Sequence, residues 1–111
     1  MNRIRTAVVG LNQGLMHVVE VLSNPRFQLA AVCDSDEKKL GWLRGEPAVD
    51  DEPGWYRAHR AAQLDRARAY PELAQANLVA DLDALLAMPD VDAVILTVPI
   101  RLNAPLATRV L

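Results

Sequence analysis

Residues 5–34 read Arg5-Thr-Ala-Val-Val-Gly10-Leu-Asn-Gln-Gly14-Leu-Met-His17-Val-Val-Glu20-Val-Leu-Ser23-Asn-Pro25-Arg-Phe27-Gln-Leu-Ala-Ala-Val-Cys33-Asp34. Two apolar runs, Arg5 to Gly10 and Phe27 to Cys33, are continuous rather than alternating, which is the pattern of parallel strands buried on both faces. Between them Leu15, Val18, Val19 and Leu22 recur at helical spacing, and Ser23-Asn24-Pro25 ends that pattern with residues that cannot continue it. The order is strand, glycine turn, helix, strand, acid. A unit of this kind presents backbone N–H groups at the helix start to a pyrophosphate and the acid to a ribose hydroxyl, which is the layout of a dinucleotide-binding βαβ unit.

The rest of the chain repeats the alternation. Ser35 to Leu43 is predicted as a short helix and Arg44 to Gly54 as a surface loop. Trp55 to Tyr70 is rich in alanine and arginine and is predicted as an inserted helix, with Ala58, Ala61, Ala62, Leu64 and Ala67 as its apolar face and one of its aromatics buried. Asn77 to Ala80 supplies a brief third strand. Asp81 caps a helix over Leu82 to Met88, closed by Pro89-Asp90. Val91-Asp-Ala-Val-Ile-Leu-Thr-Val98 is the strongest strand signal, stopping at Pro99, and a final helix is expected from about Asn103. The expected fold is therefore α/β, a partial, doubly wound parallel sheet of about four strands with helices on both faces. The Gly10 turn, Asp34 and the Thr97-Val98-Pro99 exit all fall at strand carboxyl ends, where such sheets bind ligands.

The glycine turn departs from G-x-G-x-x-G. Aligned on Gly10, the second and third glycines are replaced by Asn12 and Leu15. Asparagine tolerates left-handed backbone better than most residues, and Gly14 keeps the helix entrance open. The turn therefore reads either as a phosphate cradle or as an ordinary strand-to-helix turn. Asp34 follows Gly10 by 24 residues, close to the spacing of about 20 for a ribose-binding acid. A carboxylate there favours NAD over NADP, while Lys38 and Lys39 keep NADP open. Asp34 also reads as the cap of the next helix, with Glu37 completing a capping box. His17 is read as a helix-surface group, and His59 lies in the arginine-rich insert with no partner histidine at metal-ligand spacing.

Composition narrows the function. At 111 residues the chain holds one domain, and a net charge of −2 builds no field that would gather nucleic acid or an anionic membrane. Trp55 and Tyr56 beside Arg57 and Arg60 could suggest a nucleic-acid patch, but Asp50, Asp51 and Glu52 neutralise much of it. The lone Cys33 excludes an intrachain disulfide, and the apolar run at Ala7 to Leu11 is too short for a signal peptide or membrane span, so a cytoplasmic protein is expected.

Taken together, these blocks resemble the N-terminal NAD(P)-binding Rossmann domain of the glucose-fructose oxidoreductase, inositol dehydrogenase and MocA (Gfo/Idh/MocA) family. The resemblance is carried by Ala7-Val-Val-Gly-Leu-Asn-Gln-Gly-Leu-Met-His17, Leu29-Ala-Ala-Val-Cys-Asp34 and Thr97-Val-Pro99. Its most specific block is Asp81-Leu-Asp-Ala-Leu-Leu-Ala-Met-Pro-Asp-Val-Asp-Ala-Val-Ile-Leu96. It implies that Gly10, Asn12, Gln13 and Gly14 approach the pyrophosphate, Asp34 the adenosine ribose, and Thr97, Val98 and Pro99 the nicotinamide side. Asn103 stands where the family often has histidine. The family continues into a Glu-Lys-Pro motif and a substrate domain, neither of which follows within these 111 residues. The expectation is thus a cofactor-binding portion of an oxidoreductase acting on a sugar, polyol or related hydroxyl or carbonyl substrate, with no catalytic residue assigned and no turnover alone. The alternative is a stand-alone nucleotide sensor or interaction module. Expected partners are the dinucleotide and either a C-terminal portion or a second copy paired through the 91–98 edge. No nucleic acid, membrane or metal is expected.

Overall fold

The computed structural model describes residues 3–11, 14–46 and 54–97. Their order is β1 (Ile4–Val9), α1 (Gly14–Ser23), β2 (Phe27–Cys33), α2 (Glu37–Leu43), α3 (Gly54–Arg68), a 3₁₀ turn (Pro71–Gln75), β3 (Asn77–Val79), α4 (Leu82–Leu86) and β4 (Ala93–Leu96). The four strands form one sheet in the order β3-β2-β1-β4, every pairing parallel. This is an α/β fold with a partial Rossmann-like sheet. β1 is central because its run is apolar on both faces, with Ala7 and Val8 both fully buried.

The two faces are packed differently. Val8, Leu29 and Val32 join Leu15, Val18 and Leu22 of α1, Leu40 and Leu43 of α2, and Leu64 and Ala67 of α3 in the larger core. Ala7, Val9, Ala31 and Cys33 pack against Leu85 of α4 on the other side. Among the described residues the one helix contributing to that second cluster is the short α4.

Leu29 and Val32 share a face although they are three positions apart, which an unbroken strand forbids, since side chains alternate with a period of two. The pairing with β1 explains it. Thr6 is opposite Leu29, but Ala7 is opposite Ala31, so Ala30 is an extra residue in β2. This bulge resets the parity, turning Val32 to the large core and Cys33 to the small one.

Several expectations are corrected at the element ends. α2 begins at Glu37 and its N-cap is Asp36, whose side chain accepts the N–H of Lys38. Asp34 therefore does not cap it, and the Asp34–Glu37 capping box does not form. The reason is the carboxylate of Asp34 itself, which accepts the N–H of Asp36 at 2.8 Å and delays the helix by two residues. Asp81 does cap α4, accepting from the N–H of Asp83, but the helix ends at Leu86, short of Met88.

The apolar face of α3 is also corrected. Ala58, Ala61 and Ala62 are exposed, and the buried stripe is Arg60, Gln63, Leu64 and Ala67. Arg60 is only 6% exposed, its guanidinium lying 4.5 Å from the centre of the Trp42 ring. The aromatic surface thus covers the cation's planar face. Trp55, in contrast, is 75% exposed.

β4 is shorter than expected at its start. Just before it, Asp92 grips Arg5: its backbone N–H donates to the Arg5 carbonyl at 2.7 Å, and its carboxylate receives Nε and an NH₂ of the guanidinium at 3.1 Å and the Arg5 backbone N–H at 3.0 Å. These hydrogen bonds hold the Asp92 carboxyl below its usual range. A second two-pronged pair, Arg3 with Glu72, ties the start of β1 to the 3₁₀ turn. The expected helix from Asn103, and the Val98-Pro99 end of the last strand, lie outside the described residues.

Candidate functional site

In a sheet ordered β3-β2-β1-β4 the chain leaves β1 towards β2 and returns to the opposite side of β1 as β4. The crevice between the carboxyl ends of β1 and β4 is the switch point at which open α/β sheets bind ligands. Gly10, Gly14, Asp34 and Thr97 converge there.

Gly10 adopts φ +94°, a conformation that L side chains rarely take. Its N–H donates to the Cys33 carbonyl at 2.8 Å, prolonging the β1–β2 ladder by one step. A Cβ on Gly10 would lie 2.3 Å from the Thr97 carbonyl oxygen, so close strand approach also requires glycine. The next N–H, that of the buried Leu11, donates to Oδ2 of Asp34 at 2.8 Å.

Asp34 thus touches the glycine turn directly. Its two oxygens each accept one backbone N–H, from Leu11 and Asp36. A carboxylate has about four lone-pair directions, so roughly half its accepting capacity remains for a hydroxyl pair. The thiol of Cys33 is pushed up to about 11, first by burial and then by the charges of Asp34 and Asp81. The end of β2 is therefore a place of negative potential, which opposes an additional phosphate there.

Thr97 closes the crevice from the β4 side. Its backbone N–H donates to the Val9 carbonyl at 2.8 Å. Its hydroxyl lies 2.9 Å from that same carbonyl and 2.7 Å from the carbonyl of Gly10, sharing its single proton between them. Gly14 opens α1 beside it, and a Cβ there would fall 2.5 Å from the Thr97 hydroxyl. Both glycines therefore make room for Thr97.

α1 carries no acidic residue in its first turn. The partial positive charge and free N–H groups of a helix start are accordingly not neutralised by a carboxylate of the helix itself.

Asn12, Gln13, Val98, Pro99 and Asn103 lie outside the described residues. His17 faces the surface of α1, where its Nδ1 is 3.2 Å from Glu20 Oε2, and His59 is exposed on α3. Among the described residues no group of His, Cys, Asp and Glu could hold a metal ion, and no helix is long and apolar enough to cross a membrane. Sequence reasoning overlooked Leu11 and the Thr97 hydroxyl as parts of the turn. The available signal for Leu11 was an apolar residue in the middle of a glycine turn, a position that a solvated loop has no reason to fill with leucine.

No family profile matches the chain, and neither a curated protein nor a solved structure matches it.

Proposed function

We propose that this chain binds a dinucleotide across the crevice between β1 and β4, NAD in preference to NADP, as the cofactor-binding portion of an oxidoreductase of the Gfo/Idh/MocA kind. The observation that carries the reading is the 2.8 Å hydrogen bond from the Leu11 N–H to Asp34. It makes the phosphate-facing turn and the ribose-facing acid one rigid unit, so that both ends of an adenosine diphosphate moiety would meet preset partners.

The residues fit the cofactor. The pyrophosphate would face the start of α1, where no side-chain carboxylate of the first turn competes. The ribose hydroxyls would donate to the open lone pairs of Asp34. A 2′-phosphate would meet the charge of Asp34, which with that of Asp81 already acts on Cys33 at the end of β2. When bound, the nicotinamide supplies the hydride chemistry, and the chain's own contribution is to hold and orient it.

None of the described rim groups suits proton transfer. Cys33 is buried and held neutral, and each oxygen of Asp34 already accepts one backbone N–H, its remaining lone pairs facing the ribose in this reading. Substrate chemistry on a sugar or polyol therefore requires groups beyond those described here.

Ligand protection tests the proposal. NAD at about 100 times its Kd should raise stability by about 2.7 kcal/mol, shifting thermal unfolding upwards, with a smaller shift for NADP at equal concentration. Equal unfolding curves with and without saturating NAD would overturn it.

A further inference from the structure

A second cavity lies away from the rim, on the amino-terminal side of β3. Leu43 and Arg44 at the end of α2, Arg68 at the end of α3, Tyr70 and Leu73 around the 3₁₀ turn, and Asn77 and Leu78 of β3 are among the residues that line a cavity of about 540 Å³. That volume is within the range of small-molecule sites.

Its chemistry is one-sided. Arg44 and Arg68 are both in the wall, and no Asp or Glu is among the described lining residues. Of the acids in the neighbouring segments, Glu72 is paired with Arg3 at 2.9 Å, and the Glu46 carboxylate lies beside Gly41. Arg68 donates one NH₂ to the Trp42 carbonyl, which fixes its guanidinium at the mouth and leaves its other donors available. The backbone N–H of Arg44 caps α2 on the Gly41 carbonyl at 3.0 Å, and its guanidinium makes no hydrogen bond or ion pair among the described residues. Leu43, Leu73, Leu78 and Tyr70 supply apolar surface to the same lining.

The simplest structural role for these arginines is to complement the carbonyl ends of α2 and α3. A helix end carries about half a negative charge. Two guanidinium charges against two such ends leave the cavity net positive by about one charge, and only Arg68 is used on a terminal carbonyl.

We infer that this cavity is a binding site for a small organic anion, a carboxylate or phosphate head gripped by Arg44 and Arg68 on an apolar body lying against Leu43, Leu73 and Leu78. Arginine forks match both heads, and Asn77 supplies a neutral polar contact at the edge. The site is independent of the dinucleotide reading.

Amide NMR of the full chain titrated with benzoate and, separately, phenyl phosphate tests it, with inorganic phosphate as the third arm. The expected result is saturable movement of the Leu43, Arg44, Asn77 and Leu78 signals with those of Gly10 and Leu11 unmoved. Whichever organic anion saturates first identifies the head group. Arg44→Gln, at an exposed position that leaves the fold intact, should weaken binding about tenfold through loss of a charged donor pair. The inference is overturned by any of three results: no saturation with either organic anion up to about 10 mM, above the millimolar range of weak ligands; equal affinity for inorganic phosphate; or unchanged affinity in Arg44→Gln.

Discussion

Asp34 and Leu11 are joined by a 2.8 Å hydrogen bond that links the end of β2 to the turn after β1. The acid that would choose between cofactors is thus also an acceptor on which the turn depends. Asp34→Ala should lower stability by about 1–2 kcal/mol, because the Leu11 N–H loses its acceptor in a partly buried turn. Asp34→Asn keeps an acceptor oxygen for one of the two N–H groups and should retain more of that stability. Urea unfolding of the two variants separates these outcomes.

Thr97 and Gly14 form a pair that can be tested for coupling. Alanine is normally preferred to glycine in a helix by up to about 1 kcal/mol, yet a Cβ on Gly14 would meet the Thr97 hydroxyl at 2.5 Å. Gly14→Ala should therefore destabilise the wild-type chain. In a Thr97→Ala background the nearest remaining Thr97 atom to that Cβ is at 3.7 Å and only Val8 Cγ1, at 3.1 Å, stays tight, so the same substitution should cost much less. A double-mutant cycle should show a coupling of about 1–3 kcal/mol.

The bulge at Ala30 makes a deletion prediction. Removing Ala30 would leave Leu29, Ala31, Val32 and Cys33 in strict alternation with their present partners on β1, so Val32 keeps its place in the large core. Inserting one alanine after Ala31 would instead turn Val32 towards the α4 face, and each misplaced apolar side chain forfeits about 1.5–3 kcal/mol of burial. Thermal unfolding of the Ala30 deletion variant should stay cooperative, whereas the insertion variant should lose its cooperative transition.

Cys33 sets a basic-side limit on stability. Its thiol is raised from 9.0 to about 11 in the folded chain. In the unfolded chain the proton leaves at the lower value, so deprotonation favours unfolding once pH passes 9. The contribution is full below pH 9 and lost by about pH 11, amounting to about 2 kcal/mol. Stability measured against pH should fall more steeply over that window in the wild type than in Cys33→Ala. The native thiol should also react slowly with alkylating agents at neutral pH.

How far the fold was legible depends on how strongly each segment is determined by its own residues. β1, α1 and β2 were legible because their apolar runs and the Ser23-Asn24-Pro25 stop have no competing reading, and the observed α1 ends at Ser23. The bulge was hidden because Leu29 to Cys33 is apolar throughout, so parity leaves no trace in composition. The face of α3 was misread because alanines resemble an apolar stripe, whereas burial of Arg60 depends on the distant ring of Trp42. β4 begins two residues later than expected, and the contact of Asp92 with Arg5 just before it, 87 positions away in sequence, is one that no local pattern encodes. At the candidate site, the turn, the acid and their convergence at strand ends were legible. The hydrogen bond joining Leu11 to Asp34 was not, since it arises from how β1 and β2 are paired.

The most direct measurement of the central claim is calorimetric titration of the chain with NAD and with NADP, repeated on Asp34→Ala. The account predicts saturable binding of NAD, weaker binding of NADP, and at least tenfold loss of NAD affinity in Asp34→Ala. Absence of heat with either dinucleotide on the folded wild-type chain, or NAD affinity unchanged by Asp34→Ala, would contradict it.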